Sequence, residues 1–542
     1  MFKSPLDAMQ ATSRRQILGI AVSSLAMPVR ATGVRDSRFT HVVVGAGTAG
    51  CVVARRLSDD PANRVLLIEA GGAYQPPAID LPAKWFGLSG TAIDWRFMTA
   101  AQSHAGNRIL PVPRGKVLGG SSAINAMIHH RGTAADYDRW AALGATGWNQ
   151  AVMAPMFRRS ERWLGRPDPR RGANGPTSVL PVEEPTAAAL RFIDGAKSAG
   201  YVQTNDLNTD PAASVGLNQL AFDGQHRMSS YRAYLVPVLG RTNLTIMTGV
   251  QVTALDIKGS WCRGVRYRDA GGERLALADH EVVVAAGAIQ SPQLLMLSGV
   301  GPAAHLRAVG VRPIVDLPGV GGNLHEHMIF PGVSIEARAP FEPSRLMGVD
   351  AVLYARSPHA TKPRDIMLNF AVNAGKGPGS AMAGGGCRAS FSYLAPHSRG
   401  RVSLASADPA TPPIIDPNAF GDGRDLAGSL ASLEVARAIL NGPAFADVRL
   451  REINPGPAAV SADDLRAYLL RTAVMFGHSV GTCRMGNDVD AVVDPLLRVH
   501  GIDHLRVVDA SVIPEIPSAP TNATVLAIAE RASDLIGRQD AG

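Results

Sequence analysis

The chain predicts an α/β protein of two domains, one of them organised around a Rossmann-like nucleotide-binding core. Three observations carry this. A short apolar run enters a glycine-rich turn, a second apolar run is closed by an acidic residue, and the length of 542 residues exceeds what one core organises.

Taken in order, the first 35 residues stand apart. Arg14-Arg15 precedes an apolar stretch over 17–27 and a small-residue site ending at Ala31. These features mark a twin-arginine export signal, placing the mature chain in the periplasm; the other reading is an N-terminal extension of a cytoplasmic protein. The apolar stretch is shorter than the about twenty residues a bilayer requires, and no later segment reads as a membrane helix.

Phe39-Thr40-His41-Val42-Val43-Val44 then predicts a strand leading into Gly45-Ala46-Gly47-Thr48-Ala49-Gly50, and Glu69 closes the run Val65-Leu66-Leu67-Ile68. In a dinucleotide fingerprint the first glycine makes the turn and the second lets backbone approach a pyrophosphate. The third lets the helix pack on its strand, and the acid accepts from a ribose hydroxyl. The fingerprint alone does not separate NAD from FAD.

The next block, 114–125, is dense in small residues (Gly115, Gly119, Gly120, Ser121, Ser122), which suits close backbone approach to something flat or charged. Val282-Val283-Val284 predicts another strand and 288–297 a helix, terminated by Ser298-Gly299-Val300-Gly301-Pro302. The regions 156–230 and 331–474 differ in texture, with strand-like runs such as Arg401-Val402-Ser403-Leu404 and Pro-rich turns. A last helix over 524–536 places Val525, Ile528, Ala529 and Leu535 on one face, with Thr521 or Asn522 able to cap it.

The formal charge of +8 is spread rather than gathered into basic runs, which argues against a nucleic-acid partner. Cys51, Cys262, Cys387 and Cys483 are far apart, with no CxxC pair, so they suggest neither a metal site nor a disulfide framework.

From residue 38 onward the chain resembles the glucose-methanol-choline (GMC) oxidoreductases. Four blocks carry the resemblance: the fingerprint with Glu69-Ala70-Gly71-Gly72, and the stretch 115–132, which departs from the family pattern at His129. The others are the run 287–301, and His478-Ser479-Val480-Gly481-Thr482-Cys483-Arg484-Met485-Gly486 followed by Val507-Val508-Asp509-Ala510-Ser511. The resemblance implies a discontinuous FAD-binding domain (38–155, 231–330 and 475–542). A substrate-binding domain on an antiparallel sheet with helices would occupy 156–230 and 331–474.

It also implies FAD rather than NAD. Gly45, Gly47, Thr48, Ala49 and Gly50 would hold the pyrophosphate, Glu69 the adenosine ribose, and Val252 the adenine through its backbone. Gly120, Ser121, Asn125, Ala126, Met127 and Ile128 would line the isoalloxazine, and Asp509 and Ala510 the ribityl side. The N-terminus of the last helix, at Thr521, would face the pyrimidine edge and favour negative charge there. Where some members attach the flavin through a histidine, this chain has Ile124, so non-covalent FAD is expected.

The implied reaction takes a primary alcohol to an aldehyde, with a base removing the hydroxyl proton while hydride passes to flavin N5. A base titrating near working pH suits that task, and His478 occupies the family's catalytic position. The second catalytic position, usually His or Asn, is Pro520, which supplies neither a side-chain bond nor a backbone donor. Proline here resembles the pyridoxine 4-oxidase branch and suggests an aromatic or heteroaromatic alcohol. That branch tends to carry a histidine where this chain has Phe476, a residue equally suited to core packing and to a pocket wall. Arg345 is a candidate for an anionic substrate group, with an exposed surface role as its alternative. A choline-type or other aliphatic alcohol remains open, as do a flavin-containing lyase and a flavin-binding protein with a dead site. The electron acceptor is oxygen, or a quinone or cytochrome.

Overall fold

The computed structural model describes residues 38–209, 213–346, 348–373 and 385–540; the expected export signal at 1–35 lies outside the described residues. Among them no helix is long and apolar enough to cross a membrane.

Two sheets organise the molecule. The first has seven strands, in the order Leu244–Thr248, Val65–Glu69, Arg38–Val44, Gly272–Val284, Trp261–Asp269 and Gln251–Lys258, with Leu505–Val507 also paired to Gly272–Val284. Arg38–Val44 runs parallel to both of its neighbours. Val42, Val43, Leu66, Leu67, Val282 and Val283 have no exposed surface. Continuous apolar runs are what a parallel strand covered on both faces requires. The long strand Gly272–Val284 belongs to two regimes: its start pairs antiparallel with Trp261–Asp269, and its end pairs parallel with Leu505–Val507.

The expected elements form with their edges adjusted. The helix expected over 288–297 is Gly287–Leu297, and the last helix is Asn522–Asp540. That last helix packs against Thr48–Leu57 and is tied down through a buried carboxylate. Glu530 accepts from Arg56, Arg159 and Tyr234 at 2.6–2.8 Å. With several donors around it, this buried charge is compensated rather than orphaned.

The second sheet has eight strands, in the order Arg449–Asn454, Met328–Ala337, Gly386–Tyr393, Ile366–Asn373, Val349–Ala355, Ser214–Leu217 and Val202–Gln203, with Val474–Met475 also paired to Met328–Ala337. Its central pairings are antiparallel. Period-two alternation decides its faces. Cys387, Ala389, Phe391, Ile366, Leu368 and Phe370 form one core with residues of the helices Ala187–Ser198 and Gly423–Leu440. Their neighbours Arg388, Ser390, Asn369 and Ala371 line a cavity on the opposite face.

The domain divisions read at 155/156, 330/331 and 474/475 fall inside Gln150–Ser160, Met328–Ala337 and Val474–Met475. The two halves are thus joined by continuous elements rather than linkers.

Candidate active site

The cavity has a volume of about 770 Å3 and lies between the two sheets, touched by all four sequence blocks. Its size is within the range of small-molecule and cofactor sites.

At one end stands the fingerprint turn. Gly45, Gly47, Thr48 and Ala49 are on the wall, where Thr48–Leu57 begins. The free N–H groups of that first turn suit an anion. Gly50 is not on the wall. A Cβ at Gly50 would sit 1.8 Å from the carbonyl oxygen of Gly45, so this glycine is required for turn–helix packing. The expected pyrophosphate role of Gly50 is corrected accordingly.

Glu69 lies on the wall and is already engaged. Its Oε2 accepts from Ala46 N at 2.9 Å and its Oε1 from Gly71 N at 2.8 Å. Burial raises its carboxyl to about 7, against those two donors and Lys116. Val252 reaches the wall from the start of Gln251–Lys258.

The second block lies directly on the first. Gly120 has φ +54°, and a Cβ there would be 2.7 Å from the Cα of Gly47. Gly120, Ser121, Ala126 and Ile128 face the cavity with Ile124. Asn125 and Met127 do too, and they form a local turn. Met127 has φ +59°, and its N–H donates to Asn125 Oδ1 at 2.9 Å. Buried Arg227 donates to the same oxygen at 2.9 Å and to the Asn125 carbonyl at 2.6 Å. His129, the departure from the family pattern, is buried away from the wall beside Glu161 at 3.7 Å, and burial lowers it to about 4.

Asp509 joins the third and fourth blocks. Its Oδ2 accepts from Gly287 N at 2.8 Å and from the Ser291 hydroxyl at 2.5 Å, and its Oδ1 from Ser511 N at 2.7 Å. Burial raises its pKa in spite of these donors. Asp509 and Ala510 line the cavity, as do Pro520, Thr521 and Asn522 at the head of the last helix. Thr521 precedes that helix, its carbonyl accepting from Val525 N at 3.0 Å, and Asn522 Oδ1 accepts from the Thr48 hydroxyl at 3.0 Å. Two helix N-termini therefore meet at the cavity.

His478 stands on the same cavity wall and is held from four directions. Its backbone N–H donates to Glu326 Oε1 at 2.6 Å, and the neighbouring Ser479 hydroxyl donates to Glu326 Oε2 at 2.6 Å. Arg114 donates to the Gly477 carbonyl at 3.0 Å and lies 3.7 Å from Glu326. Phe476 stacks on the imidazole, with ring centroids 4.2 Å apart, and also lines the cavity.

The fourth contact sets the tautomer. His478 Nδ1 lies 3.0 Å from His327 Nδ1, and His327 Nε2 lies 3.2 Å from the Leu394 carbonyl. A carbonyl only accepts, so His327 carries its proton on Nε2 and accepts at Nδ1. His478 must then donate from Nδ1, which leaves a lone pair on its Nε2. Burial, His327 and Arg114 hold His478 well below the ordinary histidine range, and burial takes His327 down to about 3. Both rings are neutral at neutral pH. The site thus holds a deprotonated, oriented imidazole beside a cavity.

Reading the sequence did not single out His327, Glu326 or Arg114. The run His325-Glu326-His327 was the available signal, but its use depends on a partner 151 positions away. Arg345 is exposed and paired with Glu184, outside the cavity wall.

The residues fit FAD. The backbone of the glycine turn and two helix N-termini suit a pyrophosphate, and the small-residue block pressed against that turn leaves room for a flat ring. The GMC oxidoreductase family models match residues 39–329 and 396–529. The chain is 36% identical to an alcohol dehydrogenase [acceptor] of Pseudomonas putida, covering 92% of this chain and 96% of that one. It is also 36% identical to an oxygen-dependent choline dehydrogenase of Vibrio vulnificus, over 92% and 94%. Among solved structures, pyridoxine 4-oxidase from Mesorbium loti superposes with a TM-score of 0.86 at 35% identity, covering 92% of this chain and 98% of that one.

Proposed function

The chain belongs to the GMC oxidoreductases, FAD enzymes acting on CH–OH donors, and we propose that it oxidises a primary alcohol to an aldehyde with His478 as the sole base. The observation that carries this is the His478–His327–Leu394 chain, which supports a free lone pair on His478 Nε2.

FAD, when bound, would supply the hydride acceptor for the carbinol carbon. His478 takes the hydroxyl proton at Nε2, and His327 keeps the ring from rotating or changing tautomer during the transfer. The resulting imidazolium would still donate its Nδ1 proton to His327. Pro520 contributes shape but no hydrogen bond, so the substrate oxygen is gripped from one side.

Ile124 on the wall supports non-covalent FAD, because an aliphatic side chain offers no nucleophile. Phe476 beside His478 supports an aryl or otherwise apolar body next to the carbinol, which agrees with a pyridoxine-type or benzylic alcohol in shape. We further propose that Arg14-Arg15 directs export to the periplasm, where oxygen or a respiratory quinone or cytochrome takes the electrons.

Anaerobic stopped-flow spectroscopy with a panel of primary alcohols tests the reading. Bleaching of the flavin, with aldehyde formed in equal amount, is the expected result. A flavin that stays oxidised while the substrate is cleaved would replace the oxidase by a lyase.

A further inference from the structure

The cavity wall carries a cation that the proposed reaction does not use. Of the charged groups on that wall, Glu69 and Asp509 are hydrogen-bonded and Arg114 faces Glu326. Arg388 has no carboxylate partner among the described residues, and its Nε is buried without a hydrogen bond. No acidic residue occurs in the neighbouring sequence 374–387. Diagonal to it on the paired strand, Asn369 faces the same cavity, and a carboxylate there would meet its amide NH2 rather than its donor-less Oδ1. Burial lowers the Arg388 pKa, and only Tyr468 opposes that. Leaving a guanidinium half-buried and unpaired costs stability unless a ligand supplies the missing anion.

Its position gives the ligand's shape. Arg388 lies at one end of Gly386–Tyr393, and Leu394, which anchors His327 beneath His478, follows the other end. That is roughly 20 Å of strand, less the reach of the arginine side chain. Between the two ends Ile329, Pro331 and Ala371 supply apolar wall, interrupted by Ser390 and Asn369.

We propose that Arg388 is the specificity-determining residue for an alcohol that carries a carboxylate remote from its carbinol, across a long apolar body. This rests on the oxidase reading. The planar guanidinium fork receives the carboxylate, Asn369 lies alongside, and the apolar stretch of wall covers the spacer.

The test uses the FAD-loaded enzyme and matched pairs, ω-hydroxydodecanoate against its methyl ester and ω-hydroxybutyrate against its own. The long free acid should be favoured over its ester about tenfold to a hundredfold in kcat/KM, mainly through KM. The short pair should show no such preference. In Arg388→Met the long-chain preference should collapse toward one, and Arg388→Lys should keep part of it. Dodecanedioate, which cannot be oxidised, should raise the melting temperature of the wild-type enzyme and not that of Arg388→Met. A preference that survives in Arg388→Met, or a wild-type enzyme that favours the ester, overturns the proposal. If no alcohol reduces the flavin, the oxidase reading fails, while the dodecanedioate shift and its loss in Arg388→Met still decide the role of Arg388.

Discussion

The fingerprint turn and the cavity face of the eight-stranded sheet make opposite demands on sequence. At the turn, function is carried by backbone, so residues are chosen for what they lack. Gly50 must have no Cβ because Gly45's carbonyl occupies that space. On the sheet, the proposed substrate contacts would be made by side chains projecting from an ordinary strand. Arg388, Ser390, Asn369 and Ala371 obey alternation and nothing else. The turn therefore admits no side chain at Gly45 or Gly50, though Gly47 has room for one, whereas alternation sets which positions face the cavity on the sheet.

If that contrast is right, the largest effect should come from the turn. Gly50→Ala places a methyl within the contact distance of a backbone oxygen. It should cost several kcal/mol, about 4 or more, or prevent folding, with loss of FAD. Chemical denaturation and flavin content measure this. A stable, yellow Gly50→Ala protein would break the comparison.

His478→Ala comes next. Flavin reduction should slow by about 10²–10⁴-fold, because a positioned base is worth that much, while FAD stays bound. Near-wild-type reduction, with cofactor retained, would show that the proton leaves by another route.

His327→Ala should have a smaller effect of about 10–100-fold, since it strands the Nδ1 proton of His478 and frees the tautomer but leaves the base in place. A loss in kcat with little change in KM distinguishes this from a damaged pocket.

The pH profile sharpens the same point. His478 is held below the ordinary value of 6.5, so the base form persists below that pH. The rate should be flat through neutrality and decline only as pH drops through the lowered pKa, with the acid limb of kcat/KM below pH 6.5. A limb at or above 6.5 would mean that neither burial nor Arg114 acts on the ring.

The smallest effect is the control. A Cβ at Gly72, in the same motif as Glu69, meets nothing within 4 Å. Gly72→Ala should change stability by no more than about 0.5 kcal/mol.

Much of the nucleotide half was legible without coordinates, because its signals are local. A strand, a turn and a helix announce themselves over a few residues, and Glu69 follows at a set distance. Gly50 carried two readings in the sequence, helix packing and pyrophosphate, and its crowding against the Gly45 carbonyl supports the first. The substrate half was legible only as texture. The helices Ala187–Ser198, Gly423–Leu440 and Ala462–Thr472 went unread, and three of the four domain divisions fell inside elements.

By itself the sequence determined the Rossmann-like core, which is written in contiguous residues, and its resemblance to the GMC oxidoreductases carried the expectation of FAD and of His478 as the base. Only the tertiary structure decided which nitrogen of His478 is free, which arginine faces the cavity, and that Phe476 both packs and lines. Those properties depend on partners brought together by sheet pairing, such as His327 with Leu394 at a separation of 67 residues. Arg345 and Arg388 look alike in the sequence. One is solvated and paired with Glu184, and the other is half-buried on the cavity wall without a carboxylate partner among the described residues, because burial and the company of other charges are set by the fold.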